Sequence, residues 1–114
     1  MSIQNWSDNI IVVDLPPEPE IADELKTVTE MVRSRGDVDV VMDFSDVDIV
    51  TSSSISSLLR LRKLLSDCNR RMVFCSVAAA TRNVFVTTGI EEIFEFIDDK
   101  FIALTSLQMV GESS

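Results

Sequence analysis

Apolar residues along this chain fall into two alternating rhythms. Ile10 to Leu15 (IIVVDL) is a short β-branched run, which reads as a strand. Gln4-Asn5-Trp6 lie before it across Ser7-Asp8-Asn9, a turn-forming triplet, so the two segments are expected to pair as a hairpin with Trp6 packed there. Pro16, Pro17 and Pro19 then forbid regular ladder structure. Ile21, Leu25, Val28 and Val32 recur at helical spacing. Glu18, Glu20, Asp23 and Glu24 sit at the start of that stripe and Arg33 and Arg35 at its end, a polarity that suits the helix dipole. Gly36 is the expected stop.

The same two rhythms continue. Val38 to Phe44 (VDVVMDF) is a second strand whose centre, Val40-Val41-Met42, is continuously apolar, as in a strand buried on both faces. Asp46 to Val50 forms its exit loop. A helix follows from Thr51-Ser52-Ser53-Ser54 to about Ser66. At about 100° per residue, Ile55, Leu58, Leu59, Leu61 and Leu65 share one arc, with Ser52, Ser56, Arg60 and Lys63 on the other side. Arg62 falls inside the apolar arc, where its stem is expected to snorkel at the edge. Leu64 points away and is expected to be an exposed apolar contact.

Met72 to Val77 reads as a third buried strand. Ser76 is placed to cap a helix from about Ala78 to Thr88, which Gly89 ends. Ile93 to Ile97 reads as a last strand. Asp98-Asp99 can start a last helix carrying Phe101, Leu104 and Leu107. Helices alternating with strands call for a mainly parallel, mixed α/β sheet covered by helices. Sites in such sheets lie at the carboxyl ends of strands, which points to the loop between Phe44 and the Ser-rich helix start.

Composition narrows the function. The 114 residues suit a single domain, with a core over about 8–108 and a short tail over 109–114. Ten Lys and Arg against 19 Asp and Glu give a net charge of −9, which argues against direct nucleic-acid binding. There is no histidine, so His-based triads, His metal sites and His acid–base catalysis are excluded. No signal peptide or membrane span is visible in the sequence, and Cys68 and Cys75 are too few for a disulfide scaffold. A cytoplasmic protein with free thiols, not inserted in a membrane and needing no cofactor, is expected. Cys75 reads as a core thiol. Cys68 lies beside Arg70 and Arg71.

Charge is unevenly spread. Residues 60–82 carry 6 basic and 1 acidic side chains, within a chain that is acidic on either side. Arg60, Lys63, Arg70 and Arg71 invite a phosphate, but no Gly-rich loop accompanies them. The acidic group Glu91, Glu92, Glu95, Asp98 and Asp99 lacks the glycine-bearing spacing of a calcium loop and reads as a solvated face.

Thr51 to Ser54 places four hydroxyls at a strand-to-helix junction. One reading is helix capping, in which a hydroxyl accepts from a first-turn N–H and contributes about 1 kcal/mol. The other is phosphorylation. A phosphoryl group there meets free N–H donors and the positive end of the dipole. It also adds about 1.5 to 2 negative charges at neutral pH to a surface lined by Asp43, Asp46 and Asp48.

Val40-Val41-Met42-Asp43-Phe44-Ser45-Asp46-Val47-Asp48-Ile49-Val50-Thr51-Ser52-Ser53-Ser54 resembles the signature of STAS domains, the bacterial anti-sigma-factor antagonists and their relatives. That pattern is a buried strand, a loop of the type D-x-S-x-x-x-x-x-D-S-S-G, and a helix. Downstream, Arg71 to Val77 resembles the family's next strand, and Arg82-Asn83-Val84-Phe85, Thr88-Gly89-Ile90 and Ile93-Phe94 resemble its later landmarks. The likeness covers about residues 8–108. It implies a single STAS-type α/β domain: a four- or five-stranded mixed sheet with about four helices, largely on one side.

The resemblance implies a switch protein rather than an enzyme. The unphosphorylated form would bind an anti-sigma factor that is also a serine kinase with a histidine-kinase-like ATPase fold. Phosphorylation would break that complex, and a metal-dependent serine phosphatase would reset it. Matched residue by residue, the acceptor is Ser52, with Ser53, Thr51 and Ser54 as alternatives. Asp46, Asp48, Thr51, Ser53, Ser56, Arg60 and Lys63 would face the partner. The family's Asp before the acceptor is Thr51 here, and its Gly after the serine pair is Ser54. Its G-E-L-D stretch is replaced by Pro16-Pro17-Glu18-Pro19-Glu20.

Two other readings are carried forward. One is a STAS subunit of a transport machine, binding the transporter's ATPase with no phosphorylation switch. The other is a receiver-like phosphoaspartate domain using Asp43 and Asp14; no Lys follows Ile97 before Lys100, which lies past Asp98-Asp99.

Overall fold

The computed structural model describes residues 3–113, with side chains described through Gln108. The chain runs β1 (Ile3–Ser7), β2 (Ile10–Asp14), α1 (Ile21–Arg35), β3 (Asp39–Asp43), α2 (Ser52–Asp67), β4 (Met72–Cys75), α3 (Ala79–Thr87), a 3-10 turn (Glu91–Ile93), β5 (Glu95–Ile97) and α4 (Lys100–Ser113). The five strands form one sheet whose spatial order is the chain order. β1 and β2 are antiparallel, as a tight hairpin requires, and every later neighbour is parallel.

Alternation along the strands divides the core in two. Ile11 and Val13, Val40 and Met42, and Met72 and Phe74 point to one face, where they meet Ile21, Leu25, Val28 and Val32 of α1, Leu58, Leu61 and Leu65 of α2, and Phe85 of α3. Ile10, Val12, Val41, Val73 and Cys75 point to the other face and are covered by Ala103, Leu104 and Leu107 of α4. Three helices thus lie on one face and α4 alone on the other. Phe74 is the centre of the larger core. Its ring lies 4.8 Å from Phe44, 4.7 Å from Phe94, 5.6 Å from Phe96 and 5.8 Å from Phe85.

Gly36 ends α1 in the left-handed region at φ 71°, its N–H bonded to the Val32 carbonyl. A methyl group there would touch nothing within 4 Å, so the cost of Gly36→Ala is backbone strain alone. It should destabilise the fold by about 1 kcal/mol, read as a lower urea midpoint with an unchanged slope.

Several expectations from the sequence are corrected. Ser76 does not cap α3; it sits at φ 58°, and Ala78 occupies the cap position with no side-chain bond. The last strand is shorter than Ile93–Ile97, because Glu91–Ile93 winds into a 3-10 turn. Leu64 is not a free apolar contact; it packs against the larger core beside α1. Phe101 is not a core residue but 75% exposed, and Trp6 is half exposed rather than packed in the hairpin. α4 spans Lys100–Ser113. Asp99 does start α4, accepting from the Ile102 N–H at 2.8 Å.

Candidate functional site

Parallel pairing brings the exits of β2, β3 and β4 side by side, with Asp14 opposite Asp43 and Asp43 opposite Cys75. The loop that leaves β3 is anchored at both ends. The Asp43 carboxylate accepts the Ser45 N–H at 2.8 Å and the Ser45 hydroxyl. Further on, the buried Thr81 hydroxyl of α3 donates to the Asp48 carbonyl at 3.1 Å. Val47 is buried between these anchors. Asp46 and Asp48 project outward, with Ile49 beside them 62% exposed. Anchored backbone and projecting side chains make this loop a presented surface. Sequence periodicity gave no sign of the Thr81 pin, since Thr81 lies on a different helix.

Thr51 is the N-cap of α2, its hydroxyl oxygen accepting from the Ser54 N–H at 3.2 Å. The capping reading of the hydroxyl cluster therefore holds for Thr51. Ser52 and Ser53 occupy the first two helical positions and are exposed. Among the described residues neither hydroxyl has a hydrogen-bond partner. Ser54 is fully buried, and its hydroxyl donates to Glu18 Oε2 at 2.8 Å. The Ser54 oxygen is thus both inaccessible and engaged. The same Glu18 oxygen accepts the Thr51 N–H at 2.7 Å. Glu18, like Thr81, is a site residue whose contacts sequence reasoning missed.

Ser56, Arg60 and Lys63 lie exposed along α2. Arg60 donates to the Ser57 hydroxyl, and Lys63 pairs with Asp67 one turn on. Arg62 does sit at the core edge, its Nε donating to the Ile93 carbonyl at 2.8 Å. The basic stretch does not form one phosphate cradle. Arg70 pairs with Asp39 at 3.1 Å and Arg71 grips Glu95 through two nitrogens, at the opposite end of the sheet from Ser52. The hydrogen bond to Glu95 holds the Arg71 pKa above its ordinary value against the opposing effect of burial.

Lys100 gives the strand exits a second feature. Its Nζ lies 2.8 Å from Asp14 Oδ1 and 3.0 Å from Asp43 Oδ2. Burial alone would raise the Asp43 pKa; the Ser45 hydroxyl and amide and the Lys100 ammonium reverse this and leave it below the ordinary value. The hydrogen bond to Asp14 raises Lys100, with burial opposing and Asp43 adding to the rise. Burial pushes the neighbouring Cys75 thiol up to about 11, with the Asp43 charge adding to it, so it is an inert core thiol as expected. Lys100 therefore does reach Asp14 and Asp43, although Asp98-Asp99 intervene in sequence. The sheet order nevertheless differs from the 2-1-3-4-5 order of receiver domains, and both Asp43 oxygens are engaged.

A mixed sheet in chain order, with three helices on one face and one on the other, defines a mixed α/β domain. The family model for the STAS domain matches residues 8–102, and the chain belongs to that family. Its fold is similar to that of an anti-sigma-factor antagonist domain protein from Planctomyces limnophilus, at TM-score 0.80 and 22% identity, covering 93% of this chain and 97% of that one. It is also similar to an RsbS variant from Moorella thermoacetica, at TM-score 0.82 and 13% identity, covering 96% of each chain. A third likeness is to the phosphorylated form of the Bacillus cell fate determinant SpoIIAA, at TM-score 0.72 and 14% identity, covering 92% of this chain and 96% of that one. No curated protein sequence matches this chain significantly. Among the described residues no helix is long and apolar enough to cross a membrane.

Proposed function

We propose that this protein is an anti-sigma-factor antagonist-like regulator, binding an anti-sigma factor that is also a serine kinase and released from it by phosphorylation of Ser52. The observation that carries the reading is the exposed Ser52 hydroxyl in the first turn of α2, without a hydrogen-bond partner among the described residues, beside an anchored loop with projecting Asp46, Asp48 and Ile49. Ser53 is the second candidate acceptor; Thr51 is disfavoured because its hydroxyl already caps the helix. The docking surface is the loop together with Ser56, Arg60 and Lys63. A kinase partner with a histidine-kinase-like ATPase fold would reach the hydroxyl directly, and a serine phosphatase would restore it. The surface is built for binding, with the reaction chemistry supplied by the partners. Operation in the cytoplasm follows from that partnership.

Release is electrostatic. A phosphoryl group adds about 1.5 to 2 negative charges next to carboxylates already present, so an acidic partner group docked against the loop or the first turn of α2 is repelled. The test begins with a pull-down that identifies the partner and maps phosphate on the bait. Calorimetry on the purified pair should then find Ser52→Ala binding like wild type. Ser52→Asp should bind at least about tenfold more weakly, which is about 1.4 kcal/mol. If Ser52→Asp also binds like wild type and the prey is a transporter ATPase, the chain is a STAS module that binds without a switch.

A further inference from the structure

Glu18 makes a connection that none of its sequence neighbours announces. Its Oε2 accepts the Thr51 N–H at 2.7 Å and the Ser54 hydroxyl at 2.8 Å. Thr51 is the N-cap of α2, and Ser54 is the third helical residue. In a capping box, the side chain of that third residue is a Glu or Gln that reaches back to the N-cap amide. Ser54 is too short to do so. The carboxylate instead comes from the segment between β2 and α1, so the box is closed from another part of the chain. Thr51, Ser54 and the Pro16–Glu20 segment are positions where the sequence differs from the motifs it otherwise resembles. Here they form one hydrogen-bonded unit.

The unit puts a negative charge at the N-cap of α2, beside the turn that carries Ser52. A helix N-terminus offers roughly half an elementary charge, confined to the first turn. Thr51 caps the Ser54 amide, while the Ser52 and Ser53 amides lack intrahelical partners by helix geometry. A phosphoryl group on Ser52 would turn toward them, with the Glu18 carboxylate already bound at the adjacent N-cap amide. Two anions then compete for one positive end.

We propose that Glu18 is a positioning residue of the switch: it sets the acceptor turn before modification and is evicted by a phosphoryl group on Ser52, releasing the Pro16–Glu20 segment. This rests on Ser52 as the acceptor. It extends that reading, because modification would alter two neighbouring loops and not only add charge to one. Glu18 has no role in the chemistry itself.

The test is a double-mutant cycle on the full chain, combining Ser52→Asp with Glu18→Gln, where Asp stands in for the modified serine. Gln keeps an oxygen to accept from Thr51 and Ser54 but removes the charge, so Glu18→Gln alone should fold. Asp at a first-turn position ordinarily stabilises a helix. Ser52→Asp should therefore gain little in the wild-type background and raise the folding equilibrium constant about two- to fivefold more in Glu18→Gln. That coupling should vanish at about 1 M salt. Ser52→Asp should also move the backbone amide resonances of Glu18 and Glu20. Additive effects with those resonances unmoved overturn the inference. A purely hydrogen-bonding role for Glu18 predicts additivity and is separated in this way. The cycle needs no kinase or partner. Additivity alongside loss of partner binding overturns only the role of Glu18; coupling alongside intact partner binding overturns only the proposed function.

Discussion

Truncating Phe74 to alanine is expected to lower the unfolding free energy by about 3–5 kcal/mol, a large share of the 5–15 kcal/mol typical of a domain. Phe74 is fully buried in β4 and its ring meets four other phenylalanines. Two of these, Phe94 and Phe96, come from the short segment that closes the sheet, and Phe85 comes from the short helix α3. Those elements bury few side chains of their own, so the cavity would loosen the whole carboxyl-terminal third. Phe74→Leu keeps most of the volume and should cost clearly less. Urea unfolding of the two variants checks the ranking. Equal losses would mean that the cluster fills space without depending on the ring.

Replacing Lys100 with methionine is expected to cost about 2 kcal/mol. Removing one partner of a fully buried pair costs about 3–5 kcal/mol, while exposed pairs are worth about 0–1 kcal/mol. This triad lies between those cases: Asp43 is 12% exposed, Lys100 37% and Asp14 38%. The pH dependence follows from the directions of the shifts. Asp43 is held below its ordinary value of 3.8 in the folded state. Its contribution is complete above that value and is lost as pH falls through the lower folded pKa. Lys100 is raised above 10.5. Its contribution is complete below that value and is lost as pH rises through the higher folded pKa. The gap between wild type and Lys100→Met should be flat between roughly pH 5 and pH 9 and narrow toward both extremes. A gap that widens in acid would show that another group governs the difference.

The fold was legible wherever one periodicity ruled a segment. The stripe Ile21, Leu25, Val28 and Val32 is fully buried, and Gly36 stops that helix in the left-handed conformation a glycine allows. The continuously apolar runs became β2, β3 and β4, and the apolar residues of each are buried on both faces. The errors fall where local chemistry competed with tertiary position. Ser76 is a good cap by type, but the turn after β4 places it at positive φ. Leu64 points off the α2 stripe, yet α1 lies against that flank. Phe101 fits the expected stripe, but α4 turns Ala103, Leu104 and Leu107 to the sheet instead.

The candidate site divides in the same way. Its loop and hydroxyls lie in one continuous stretch, so the sequence displays them together. Ser52 and Ser54 look alike there, and only the burial of Ser54 separates them. Glu18 and Lys100 reach the strand exits from the segments after β2 and β5. Their contacts depend on the parallel register that aligns Asp14 with Asp43, and no local pattern encodes it.

The coincidence of strand order in space with strand order in sequence has a consequence for how the chain assembles. Each new strand docks beside the one made just before it, so no strand waits for a distant partner and each connection holds no more than a turn, a helix, or a helix and a 3-10 turn. Contacts of modest sequence separation favour rapid folding. The β1–β2 hairpin can form first, and each later β-α-β step adds to an existing edge. Until β5 arrives, β4 is that edge: an uncharged, wholly apolar strand with one side unpaired. Sticking between partly folded copies should therefore begin at β4, and destabilising β5 should promote aggregation more than an equal destabilisation within α1.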